Sequence, residues 1–308
     1  MFLSTHYKRC TTGTGFIAAQ TCARKGAKNV IMLNRLSDRA NSAETEIKKL
    51  SDDTATFVET IERDLQEFES VKNACSSIKE KYDTIDVLCN NAGVMALEDT
   101  ATKDGYDVQM QTNHLSHFLL VKELFPLLQK SKDVNGEARI VNHSSMARHG
   151  GALKAEYFEK RGGNLGGDGN SMFMKGARWE RCHQTKLANP VFTKALATLL
   201  DGSGIKALVA APGIAATNLQ VTTNERGGMG SGMWIMRMSQ SAEDGAMPLI
   251  SACFDPSAGN GDFWEPSNRG GLCGPAVKVK WDKLSSDEEF QKMLWSKSEE
   301  ACGEFKCE

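Results

Sequence analysis

The first 150 residues alternate between two hydrophobic periods, and that alternation leaves few architectures open. KNVIML (residues 28–33), TATFVET (54–60), IDVLCN (85–90) and EARIVNHS (137–144) are short apolar or β-branched runs of strand length. Between them, residues 38–50 place Ala43, Ile47 and Leu50 at helical spacing, and residues 66–81 do the same with Phe68, Val71, Cys75 and Ile78. Residues 106–130 form a further long helical stretch. Strands this apolar need cover on both faces, which a parallel sheet between two helix layers supplies. The rhythm predicts a doubly wound α/β sheet. It weakens after residue 145. Residues 146–178 are rich in Gly and polar residues and are predicted as a loop; a helix at 178–200 and a strand at 205–213 follow. A second loop, rich in Gly and Met, spans 221–240. Ser241 and Asp244 open a helix through 252 as a capping box, and a last helix lies near 286–297. No repeat or linker divides the chain, so residues 1–308 are expected to form a single domain with 146–178 and 221–240 as loop insertions.

Bulk properties exclude several classes. A formal net charge of −2 is far from the clustered basic surface that a nucleic-acid partner requires. The nine cysteines are odd in number and scattered, with no CxxC pair and no zinc-ligand spacing, so they are expected as thiols in a reducing compartment. No apolar run approaches the roughly 18–20 residues of a transmembrane helix. The opening MFLSTHYKRC lacks the apolar middle of a signal peptide. Cytoplasmic residence is the default expectation. Organellar targeting stays open, because the start of the chain reads as cut short.

Gly13-Thr14-Gly15-Phe16-Ile17-Ala18 fits GxGxxA. Glycines there permit a tight turn and close backbone approach, and the helix that follows offers its N-terminus to a pyrophosphate. A helix containing Ala19, Ala23 and Gly26, then the strand 28–33, supply the context. Position 34, where a carboxylate would hold a ribose 2′-hydroxyl, is Asn34, and Arg35 follows. A guanidinium can grip a phosphate in a forked geometry, so NADP(H) is favoured over NAD(H). The alternative is that Arg35 is only a solvated charge at a strand end.

Four more segments come in order: Asp64-Leu65, Asn90-Asn91-Ala92-Gly93, Ser144-Ser145, and Pro212-Gly213 with Thr217. With the glycine motif they resemble a short-chain dehydrogenase/reductase across roughly residues 10 to 300. DVLCNNAGVMA, TNHLSHFLL, TKLAN and PGIAATNL resemble the branch of retinol dehydrogenase-like and protochlorophyllide reductase-like proteins. The resemblance implies a Rossmann-type domain and an oxidoreductase that interconverts alcohol and carbonyl groups of an apolar small molecule; a homo-oligomer is left open. By position, Gly13 and Gly15 would meet the pyrophosphate and Asp64, beside Leu65, the adenine. Asn91, Ala92 and Gly93 would line the cofactor. Asn113 would support a proton relay. Ser145 would bind the substrate oxygen. Lys186 would hold the nicotinamide ribose and lower the pKa of a tyrosine one turn earlier. Pro212, Gly213 and Ile214 would flank the nicotinamide, and Thr217 would touch the phosphates. Met172, Phe173, Met174, Trp234 and Met236 either form an apolar lid or simply cover the core.

Two departures stand out. Lys8 and Arg9 fall where the family's Thr and first Gly belong, and Ser4-Thr5-His6-Tyr7 is too polar for a central parallel strand, so the first strand is expected to be short or degenerate. Cys182 stands four residues before Lys186, where the family has its catalytic tyrosine. Positions four apart share a helix face, but a thiol is much shorter than a phenol. Tyr157 is assigned to the insertion loop. His183 is turned by about 100° and is expected to face elsewhere. The alternatives are a catalytically impaired dinucleotide-binding or interaction protein, and a thiol chemistry in which Lys186 lowers the pKa of Cys182.

Overall fold

Strand residues that alternate between two covered faces fix the layers of this molecule. In the computed structural model, residues 2–4, 13–51, 54–170, 174–215, 223, 227–228 and 239–307 are described. Among these residues eight strands form one sheet: β1 (Phe2–Ser4), β2 (Asn29–Asn34), β3 (Phe57–Glu62), β4 (Val87–Asn90), β5 (Ala138–His143), β6 (Ile205–Ala210), β7 (Phe263–Asn268) and β8 (Cys273–Val279), in spatial order β3-β2-β1-β4-β5-β6-β7-β8. All neighbours run parallel except β7 and β8. The helices are α1 (Thr14–Arg24), α2 (Asp38–Ser51), α3 (Phe68–Lys81), α4 (Val108–Met110), α5 (Ser116–Asn135), α6 (Ala177–Leu199), α7 (Ala242–Phe254) and α8 (Glu288–Cys302); a π turn, Gln111–Leu115, joins α4 to α5.

The period-two alternation splits the core in two. Ile31, Leu33, Ile61, Leu88 and Ile140 face α3, α5, α6 and α8. Val30, Met32, Val58, Cys89 and Leu208 face α1, α2 and α7. Each such side chain, fully buried, contributes about 1.5–3 kcal/mol. The order runs one way from β1 to β3 and the other way from β4 to β7. The direction reverses between β1 and β4, and in such sheets the ligand crevice opens at the carboxyl ends of the strands at that point.

β1 has three residues, in register with β2 (Phe2 opposite Ile31) and β4 (Phe2 opposite Leu88). It is short, as expected, but it lies at Phe2–Ser4 rather than in the polar stretch 4–7. Lys8 and Arg9 lie outside the described residues.

Two strands, β7 and β8, were not expected. Pro266 and Pro275 interrupt their patterns, and Pro is a poor sign of a strand because it donates no ladder hydrogen bond. The connecting turn carries positive φ at Arg269, Gly270 and Gly271 and is the signal that the sequence offered. The segment 146–178 is also more than loop. It contains 3₁₀ turns at Met146–Gly150 and Ala155–Phe158, and Leu153, Tyr157, Phe158 and Leu165 join the main core.

Candidate functional site

Most of the expected residues meet around the carboxyl ends of β1, β4, β5 and β6. Gly13 caps α1 with extended backbone; no side chain caps the helix, and a Cβ on Gly13 would meet nothing within 4 Å. Among the described residues nothing caps the first amides of α1, and a helix N-terminus of this kind is a favourable place for an anion. Thr14 donates its hydroxyl to Asn91 Oδ1 at 2.9 Å and ties the turn to the segment after β4. At the far end, Arg35 lies 3.7 Å from Asp64, both partly exposed. Asp64 Oδ1 also accepts the Gln66 amide at 2.9 Å. Leu65 is fully buried, and its carbonyl accepts the Ser116 hydroxyl.

Asn113 lies within the π turn and is fully buried. Its Oδ1 accepts the Val94 amide at 2.7 Å, and its Nδ2 donates to the Val94 carbonyl and to Thr185 Oγ1, both at 2.9 Å. The Asn113 carbonyl accepts from His117 Nδ1 at 3.1 Å. Thr185 passes its own hydrogen to the Cys182 carbonyl at 2.9 Å. A Cβ on Gly93 would lie 3.2 Å from both Asn113 Oδ1 and Lys186 Nζ. Any side chain at Gly93 would press on these two groups, and Ala92 beside it is buried. Lys186 is buried, and burial pulls its pKa below the usual lysine range. Its helix is pinned to the end of β5: Ser144 donates to the Lys186 carbonyl at 2.8 Å, and Asn189 donates to the His143 carbonyl at 2.8 Å. Ser145, half-buried, accepts the Ala147 amide at 3.3 Å, which leaves its hydroxyl hydrogen to give elsewhere.

Cys182 is 1% exposed and packs with Ala96 and Trp179. Burial raises its pKa, and the Lys186 charge does not overcome that. This argues against the alternative in which Lys186 activates the thiol. Preceding it, Arg181 is fully buried against Asp107 (3.3 Å), Asp99 (3.7 Å) and Asp168 (3.8 Å), and donates to the carbonyls of Leu97, Leu165 and Gly167. His183 does face elsewhere: its ring lies over Gly150, where a Cβ would be 1.8 Å from Nδ1. Tyr157 is buried in the core beneath its 3₁₀ turn.

Pro212 and Ile214 are braced from outside. Gln240 donates to the Pro212 carbonyl at 2.8 Å, and the Ile214 amide donates to Leu272 at 2.9 Å. Gly213 has φ of +67°, and a Cβ there would strike the Leu272 carbonyl at 2.4 Å. Thr217, Met172, Phe173, Trp234 and Met236 lie outside the described residues. Met174 is 37% exposed. The sequence reading gave Thr14 and Ser144 no role within their motifs and missed Arg181 and Thr185. Each is a neighbour of a motif residue, and that adjacency was the only signal.

The short chain dehydrogenase family profile matches residues 10–157. Human retinol dehydrogenase 13 is 28% identical over 298 residues, covering 95% of this chain and 82% of its own length. An uncharacterized oxidoreductase of Schizosaccharomyces pombe is 32% identical over 210 residues, and bovine retinol dehydrogenase 12 is 31% identical over 208. These two alignments cover 67% and 68% of this chain but only 58% and 60% of the relatives' lengths. A solved structure of an uncharacterized protein from Mycobacterium paratuberculosis is 29% identical with a TM-score of 0.73, covering 99% of this chain and 94% of that one. The Pseudomonas aeruginosa RhlG/NADP complex, 20% identical over 85% of this chain and 92% of that one with a TM-score of 0.60, shares the fold. The chain is thus similar to the short-chain dehydrogenases over residues 10–157 and to retinol dehydrogenases over most of its length. Among the described residues, no helix is long and apolar enough to cross a membrane.

Proposed function

We propose that this chain binds NADP(H) and interconverts an alcohol and a carbonyl on an apolar small molecule, with a slow chemical step. The observation that carries the proposal is the convergence of Lys186 Nζ and Asn113 Oδ1 on Gly93. A side chain on Gly93 would crowd both groups, and the cradle lies on the same sheet edge as the N-terminus of α1, which no described side chain caps. These residues fit a dinucleotide. The α1 amides would receive the pyrophosphate, and Asn91 to Gly93 would form the wall beside it. Lys186 would hold the ribose, and Pro212 to Ile214 the nicotinamide. Arg35 would share its guanidinium between Asp64 and a 2′-phosphate, which favours NADP(H). When bound, the cofactor supplies or accepts the hydride. Ser145 would donate its hydroxyl to the substrate oxygen and fix the reacting carbon. With no phenol at position 182, the proton would pass between Lys186 and that oxygen through solvent. The relatives named for retinol support an apolar substrate.

The burial of Cys182 favours a second reading, a dinucleotide-binding protein with impaired chemistry. Turnover of NADPH with apolar aldehydes separates the two. The proposal expects slow reduction by the native chain, and a gain of about a hundredfold or more in Cys182→Tyr, the size of a positioned acid–base group. No gain in that variant, with NADPH bound, would leave the second reading.

A further inference from the structure

The C-terminal helix α8 lies outside the residues that the family profile matches and carries none of the family motifs, yet it reaches the turn that presents Asn113. Ser298 is fully buried, and its Oγ lies 2.9 Å from His114 Nε2. One turn later, the Cys302 thiol donates to the Leu115 carbonyl at 3.3 Å. His114 and Leu115 are the two residues after Asn113, and both belong to the π turn. Phe158 and Phe192 hold the His114 ring edge-on, each at 5.6 Å. Lys122 ties the end of α8 to α5 by donating to the Cys302 carbonyl at 2.6 Å. Phe305 closes the contact against Phe118 and Phe125.

A π turn is an α-helix forced to take one extra residue, with poorer hydrogen-bond geometry, and it persists where surroundings hold it. Here a single neighbouring element bonds both residues that follow Asn113. Asn113 in turn grips Val94 on one side and Thr185 on the other, the residues next to Gly93 and Lys186. We propose that α8 is a positioning element of the site, in which Ser298 and Cys302 fix the π turn and through it the aim of Asn113 at Gly93 and Lys186. This rests on the reading that the crevice holds NADP(H).

The test compares the native chain with Ser298→Ala, Cys302→Ala, the conservative Ser298→Thr and Cys302→Ser, and Lys292→Ala as an exposed control on α8. Two quantities are measured: amide hydrogen exchange at Val94, whose proton Asn113 Oδ1 holds, and the dissociation constant for NADPH by fluorescence. Removing one such hydrogen bond is expected to speed Val94 exchange and weaken NADPH binding, each about threefold to tenfold. Ser298→Thr and Cys302→Ser are expected to restore both, and Lys292→Ala to change neither. An unchanged Val94 amide in Ser298→Ala overturns the proposal whether or not NADPH binds. So does faster exchange with unaltered NADPH affinity, or an equal loss in the conservative variants or the control. A native chain that binds no NADPH, with the Val94 effect present, defeats the cofactor reading and leaves α8 as the holder of the turn.

Discussion

Cys182 and Lys186 lie one helical turn apart, and burial pushes both toward their neutral forms. The thiol pKa rises and the ammonium pKa falls, because taking either charge out of water costs more than their mutual attraction returns. Alkylation by iodoacetamide at mildly alkaline pH should therefore modify Cys182 well after the half-buried Cys273, read by mass spectrometry. Faster labelling of Cys182 would restore a thiol chemistry at this site. The positions of Asn113, Ser145 and Lys186 were legible because each belongs to a motif whose order and spacing are constrained. The role of Arg181 was not. Its carboxylates come from Asp99, Asp107 and Asp168, and only the folded chain shows that a charge beside Cys182 is fully enclosed. Thr185 was hidden for the same reason, since its partner Asn113 is 72 positions away.

At the scale of elements, the motifs sit where strands end, and neighbouring elements hold them there. The loop after β6 depends on the β7–β8 hairpin, because Gly213 has positive φ and presses on Leu272. Gly213→Ala should destabilise the protein by about 1–3 kcal/mol in denaturant titrations, as expected for strain at a special φ. An unchanged midpoint would mean that this loop is not braced as described. Strands β2 to β6 and the helices between them were read within about five residues, because continuous apolar runs and helical spacing are local patterns. The β7–β8 hairpin was not, because its prolines and a bulge between Pro266 and Asn268 break the period-two pattern. The π turn was equally invisible. QTNHL reads as ordinary helix, and its distortion answers to contacts from α6 and α8.

Among the described residues three histidines, 114, 117 and 143, are enclosed in the layer between sheet and helices. Burial holds His114 and His143 near pKa 3, and His117 well below its ordinary value. A depressed folded pKa means that the unfolded chain binds more protons, so this stability is complete above pH 6.5 and is lost as pH falls toward the folded values. Asp107 acts in the opposite sense. Its pKa is raised to about 6, chiefly by burial, so it takes up a proton in the folded state and stability falls as pH rises from 3.8 toward 6. The histidines outweigh it. Unfolding near pH 5 should take up protons on balance, so that stability falls as pH drops from 7 to 5. Denaturant midpoints measured between pH 7 and 5 check this, and a flat profile would show that the histidines are not enclosed in the native chain.

The central claim is that this fold keeps a working NADP(H) site although the phenol is missing. Fluorescence titration of the native chain with NADPH and with NADH, repeated on Arg35→Gln, tests it most directly. Saturable NADPH binding tighter than NADH is expected, with Arg35→Gln weakening NADPH about tenfold, the scale of one charge-assisted contact, and leaving NADH nearly unchanged. Absence of saturation by either nucleotide, or equal affinities that Arg35→Gln does not alter, would contradict it.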